Sequence, residues 1–120
     1  MRESAILRDH RLTLGQSPHC LIYRNQVGIA SYPGGIRVPY GLTRGAADLI
    51  GIRTLTITAA HVGCLVGQFL AVETKTLTGR LTDEQRLFLE LVERRGGIAI
   101  VGRDAQETAE IVAHSRLRPA

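Results

Sequence analysis

Asp48, Glu73 and Lys75 are the residues most able to do chemistry: two acids and the single lysine of a chain whose other fourteen basic residues are arginine. Glu73 and Lys75 close the stretch Gln68-Phe69-Leu70-Ala71-Val72-Glu73-Thr74-Lys75. On an extended strand, side chains two residues apart share a face, so this carboxylate and ammonium point together while Val72 and Thr74 point away. Two charges at the end of an apolar strand cost desolvation energy unless they pair, meet solvent or bind an ion. An exposed ion pair satisfies that condition without any function, so the second acid decides the matter. If residues 47–57 and 64–76 are the neighbouring strands of an antiparallel hairpin, about 4.8 Å apart, Asp48 and Glu73 converge on one cation, which relieves their mutual repulsion. Oxygen ligands without a Cys or His cluster favour Mg²⁺ or Mn²⁺ over Zn²⁺. With Lys75 holding or polarising a water, this is the minimum set for metal-assisted phosphodiester hydrolysis.

The surroundings are cationic. From Arg11 to Val72 the bases are Arg11, Arg24, Arg37, Arg44 and Arg53, against the single acid Asp48. The formal charge is +4, and such an excess suits a phosphate-rich partner. Cys20 and Cys64 stand apart, with no histidine at zinc-ligand spacing, and read as buried thiols. The loop Ser31-Tyr32-Pro33-Gly34-Gly35 and Pro39-Tyr40-Gly41 lacks the GK[ST] ending of a nucleotide-binding loop, which argues against ATP use. No apolar run reaches the length of a spanning helix, and the first residues lack a signal peptide's apolar core, so a cytoplasmic protein without membrane partners is expected.

The elements that must position these residues follow from spacing. At 120 residues, 44% hydrophobic and 22% charged, the chain suits one soluble domain. Ile6, Leu7 and Leu14 predict a first helix over 2–14 with Glu3 on the same inward face, although an acid in a first turn also serves the helix dipole. Residues 20–23 predict a short strand. Thr82-Asp83-Glu84-Gln85 is a capping box opening a helix with the apolar stripe Leu87, Phe88, Leu91 and Val92, ended by Gly96-Gly97. Ile98-Ala99-Ile100-Val101 predicts a buried strand, parallel to the one before the helix, and Asp104 caps a last helix over 105–113.

The segments Gly45-Ala46-Ala47-Asp48-Leu49-Ile50-Gly51, Phe69-Leu70-Ala71-Val72-Glu73-Thr74-Lys75 and Gly79-Arg80-Leu81-Thr82-Asp83-Glu84-Gln85, in this order, resemble the VRR-NUC family, the virus-type replication-repair nucleases of the PD-(D/E)xK superfamily. Arg24-Asn25-Gln26-Val27-Gly28 and Gly96-Gly97-Ile98-Ala99-Ile100-Val101 also resemble family segments. A lone ExK is common; the dyad followed by G-x-L-T-x-x-Q and a Gly-Gly strand is specific. Ala47 departs from the family, which has proline before the aspartate.

The resemblance implies an α/β fold, a restriction-endonuclease-like mixed β-sheet flanked by helices, in a single small domain over residues 1–114 with a basic, mobile tail over 115–120. It implies DNA endonuclease activity dependent on Mg²⁺ or Mn²⁺. Asp48 and Glu73 would hold metal, the Thr74 carbonyl and Glu3 would complete the set, Lys75 would orient the water, and Gln85 would join the catalytic group. Gln85 is equally explained as the capping-box residue. Arg24, Arg37, Arg44 and Arg53 are candidates for DNA-backbone contacts, or equally solvated surface arginines. Stand-alone members imply a phage- or prophage-encoded homodimer acting on branched DNA, four-way (Holliday) junctions or flaps, without a nucleotide cofactor. Two other readings stand beside this one: a basic nucleic-acid-binding module on a degenerate nuclease fold, and a nucleotide site after residues 98–101, weakened because only one glycine follows that strand.

Overall fold

In the computed structural model, which describes residues 2–120, strands form only where a short partner offers ladder hydrogen bonds. The described residues hold three α-helices and six strands: α1 (Glu3–Gly15), β1 (Cys20–Arg24), β2 (Gly28–Tyr32), β3 (Ile36–Tyr40), β4 (Leu49–Arg53), β5 (Leu70–Thr74), α2 (Asp83–Arg94), β6 (Ile98–Gly102) and α3 (Ala105–His114). The strands pair two by two, β1 with β4, β2 with β3 and β5 with β6. The chain is thus small and mixed α/β as expected, but among the described residues the pairs do not join into one mixed sheet of the restriction-endonuclease kind. Two compact units result, one ending at Arg53 and the other running from Thr54 to Ala120. Among the described residues no helix is long and apolar enough to cross a membrane.

In the first unit, β1 and β4 are antiparallel, with Arg24 opposite Leu49 and Leu21 opposite the buried Ile52. Helix α1 lies against β1. Its expected inward face is only partly covered: Leu7 is half-buried, Ile6 and Leu14 are exposed, and no residue of α1 is buried, because a two-stranded sheet offers little surface. The Gly/Pro-rich stretch read as a loop is instead the hairpin β2–β3. Its turn is Pro33-Gly34-Gly35, with Gly34 at φ 85° and Gly35 at φ 77°, a backbone region that favours glycine. Pro39, which cannot donate to a ladder, is accommodated because β3 pairs on one side only.

In the second unit, β5 and β6 are parallel, Leu70 to Ile98 through Thr74 to Gly102, with α2 as the crossover between them. Its core is Ala71, Leu89, Val92 and Ile100. The stripe of α2 is shifted from the expected one: Leu89 and Val92 are buried and Leu91 half-buried, while Leu87 and Phe88 are exposed. Gly97 is required by close approach, since a Cβ there would stand 2.9 Å from the Phe69 carbonyl oxygen and 2.7 Å from Val92 Cγ1. Gly102 faces Val72 Cγ1 and the Thr108 hydroxyl, so packing explains the glycine that had suggested a phosphate loop. Asp104 caps α3, its carboxylate accepting from the Glu107 N–H at 2.9 Å.

The hairpin expected between residues 47–57 and 64–76 does not form. β4 takes β1 as its partner, and β5 takes β6. Alternation of apolar residues identifies a strand and its buried face, but not the strand it pairs with. The five-residue length of β6, bounded by Gly96-Gly97 and the Asp104 cap, also limits β5 to five residues. Residues 62–69 carry no strand, and Val62 and Leu65 are exposed. For the same reason Cys64 is exposed rather than buried, while Cys20 is half-buried. Residues 115–120 carry no helix or strand and are exposed.

Candidate active site

The second unit brings three of the candidate residues together at one strand end and one helix start. Along β5 and one residue beyond, Ala71, Glu73 and Lys75 are the covered side chains, and Leu70, Val72 and Thr74 the exposed ones. The predicted pairing of faces therefore holds. Lys75 Nζ stands 3.8 Å from Glu73 Oε1, with the Lys75 side chain 20% exposed and that of Glu73 34%. The Lys75 N–H donates to the Gly102 carbonyl at 3.0 Å, which carries the β5–β6 ladder one step past Thr74.

Gln85 is the capping-box residue expected, and the same side chain also reaches Glu73. Thr82 is the N-cap of α2: its hydroxyl accepts from the Gln85 N–H at 3.1 Å, and its own N–H donates to Gln85 Oε1 at 3.0 Å. The other end of the same amide, Nε2–H, donates to Glu73 Oε1 at 2.8 Å. Because the Thr82 N–H requires an acceptor, Oε1 is committed to the cap and Nε2 is turned onto the carboxylate. The capping box thereby fixes the orientation of a site amide. Lys75 and Gln85 both meet Oε1, so Glu73 Oε2 has no partner among the described residues.

Asp48 belongs to the first unit, where it immediately precedes β4. Its carbonyl accepts from the Asn25 N–H at 2.8 Å, and Arg24 Nη1 lies 3.4 Å from that carbonyl and 3.5 Å from Oδ1. Its side chain is 62% exposed, which leaves the carboxylate reachable. Since the β4–β5 hairpin is absent, strand pairing does not place Asp48 beside Glu73.

Asn25, to which the sequence reading gave no role, is buried and organises the Asp48 segment. Its Nδ2–H donates to the Ala47 carbonyl at 3.0 Å, and its Oδ1 accepts from the Leu42 N–H at 3.1 Å. Ala47, where the family has proline, is thus held by a side-chain hydrogen bond. Asn25→Ala would remove both hydrogen bonds, whose backbone partners Leu42 and Ala47 are exposed, and is expected to destabilise the protein by about 1–3 kcal/mol, at about 0.5–1.5 kcal/mol per bond. Urea titration against wild type measures this, and an unchanged midpoint would show that the bonds do not organise the segment. An Asn between a strand and Gly28 was the available signal, but it reads equally as a turn residue.

The remaining candidates belong to the first unit. Glu3 is exposed in the first turn of α1, the position its helix-dipole reading requires. Arg37 lies on the exposed β3, Arg44 in the turn before Asp48, and Arg53 at the end of β4 opposite Cys20; all three are exposed. Arg24 is engaged with Asp48. Arg103, also missed from sequence, donates through Nη1 to the carbonyls of Thr76 and Gly79, the latter at 2.8 Å, and so ties down the chain after Lys75.

Among the described residues no group of three or more His, Cys, Asp or Glu side chains is gathered as a metal cage. The donors that are present still suit a hard divalent cation: the unpartnered Oε2 of Glu73, the exposed carboxylate of Asp48 and backbone carbonyls are all oxygen.

A strand-end carboxylate thus meets an ammonium and a helix amide on one oxygen. Residues 39–105, more than half of the chain, match the VRR-NUC domain, and the chain belongs to the VRR-NUC family, which points to a nuclease. The match contains Asp48, Glu73, Lys75 and Gln85, and leaves Glu3, Arg24 and Arg37 outside. No curated protein and no solved structure matches the chain.

Proposed function

We propose that the protein is a Mg²⁺- or Mn²⁺-dependent endonuclease of branched DNA, such as four-way junctions or flaps. The observation that carries this reading is the Glu73–Lys75–Gln85 arrangement inside the matched domain. Asp48, Glu73 and the Thr74 carbonyl would hold the cation, with Glu3 as a further ligand. When bound, the cation supplies Lewis-acid polarisation of the phosphate and activation of water. The protein's own groups do the rest. Gln85 and Lys75 hold Oε1 of Glu73, which leaves Oε2 for the cation. Lys75 orients the attacking water and offsets the negative charge that grows on the phosphate as the new P–O bond forms and the P–O3′ bond breaks. The products carry 5′-phosphate and 3′-hydroxyl ends, the attacking water giving up a proton to solvent and the 3′ oxygen taking one from it.

Arg37, Arg44 and Arg53 supply backbone contacts, and Arg24 does so while holding Asp48. A homodimer would present two sites to the two strands of a junction, and the work would take place in the cytoplasm of a bacterium carrying a phage or prophage. The test is nicking of branched and linear DNA with Mg²⁺, Mn²⁺ and EDTA, comparing wild type with Asp48→Ala. Metal-dependent cutting of the branched substrate, lost in Asp48→Ala, is expected. Wild-type protein that binds DNA but cuts none with either metal would leave the binding-module reading in its place.

A further inference from the structure

We propose that Arg103 grips a DNA phosphate beside Lys75, as a substrate-contacting residue of the nuclease site. The inference rests on the nuclease reading above and adds a residue to it. Gly102 is level with Thr74 in the β5–β6 register, and the Lys75 N–H donates to the Gly102 carbonyl at 3.0 Å. Lys75 and Arg103 therefore leave the sheet together at the carboxyl ends of two parallel strands, the side of an α/β sheet on which ligands bind.

Lys75 already meets the Glu73 carboxylate, so the cation left without a carboxylate at this end of the strand pair is Arg103, and an anion would offset its charge. The nearby carboxylates have contacts of their own, and neither is paired with Arg103. Asp104 accepts from the Glu107 N–H at 2.9 Å, and Glu73 holds Lys75 and Gln85. Among the described residues Arg103 forms no ion pair. Its exposed side chain is nevertheless fixed, because Nη1 donates to the carbonyls of Thr76 and Gly79. Neutral carbonyls orient a guanidinium without cancelling its charge. They leave Nε and Nη2, which have no partner among the described residues, as an edge whose geometry matches two phosphate oxygens.

The alternative is that Arg103 only fastens the loop after Lys75. Binding to a DNA duplex in EDTA, measured across a salt series with melting curves alongside, separates the two. Arg103→Ala should reduce the slope of log affinity against log salt by about 0.9, one phosphate contact, and Arg103→Lys should keep the wild-type slope. A wild-type slope in Arg103→Ala, with lowered melting alone, would overturn the proposal while leaving a wild type that cuts DNA still a nuclease. Wild type that neither binds nor cuts would overturn both. If Arg103→Ala does not fold, Arg103→Gln, uncharged but still a donor to the loop carbonyls, carries the same comparison.

Discussion

Replacing Lys75 by alanine is expected to slow cleavage by about 10²–10⁴-fold at saturating Mg²⁺, the range set by loss of a positioned proton-handling or charge-stabilising group. DNA affinity should change far less, because one phosphate contact among many is the most that is removed. The ammonium is mostly covered and tied to one carboxylate oxygen of Glu73, a placement that costs desolvation and is compensated by that contact. Lys75→Arg should not restore the rate, since a planar fork cannot occupy the place of a compact ammonium group. Glu73→Gln should give a comparable loss by another route: a cation ligand disappears, so the Mg²⁺ concentration for half-maximal cutting rises. In Lys75→Ala that midpoint should stay near the wild-type value. The measurement is single-turnover cleavage over a metal titration for the three variants. Lys75→Ala cutting at the wild-type rate would remove the basis for placing this residue in the chemistry.

How much of this was legible in the sequence depended on whether the signal was local. The i, i+2 rule placed Glu73 and Lys75 on one face, and the Thr82–Gln85 spacing gave the capping box, because each involves residues within a few positions of each other. The parallel pairing of β5 and β6 also followed, since a strand, a helix and a strand in close succession admit essentially one connection. Partner choice did not follow. Nothing in the alternation of Leu49, Ile50 and Ile52 distinguishes β1 from β5 as a neighbour, and β1 is what β4 pairs with. Proline and glycine concealed the β2–β3 hairpin because the turn chemistry at Pro33-Gly34-Gly35 is louder than two five-residue strands. Asn25 and Arg103 were missed because both act on backbone carbonyls, which have no sequence identity: Asn25 on Ala47, Arg103 on Thr76 and Gly79.

Gln85→Glu separates the two roles that one amide performs. Glutamate is as good a capping-box residue as glutamine, so its Oε1 can still accept from the Thr82 N–H and the helix start should be retained. At the other end the Nε2–H donor, 2.8 Å from Glu73 Oε1, becomes an oxygen, and two carboxylates then face each other at hydrogen-bond distance. They cannot both stay ionised comfortably at that separation, so either one holds a proton or the side chains move apart. Both outcomes disturb the oxygen that Lys75 shares with Gln85. Cleavage is therefore expected to fall by about 10²-fold, near the lower bound for a positioned polar group, while melting stays within a few degrees of wild type. Thr82→Ala should behave in the opposite sense. It deletes the hydroxyl acceptor for the Gln85 N–H, costing about 1 kcal/mol of helix capping, yet keeps the Thr82 backbone donor that orients the amide. It should melt earlier and cut nearly as fast. Melting curves and single-turnover rates on the same two proteins decide the point: if Gln85→Glu cuts like wild type, the bond to Glu73 is incidental to the cap.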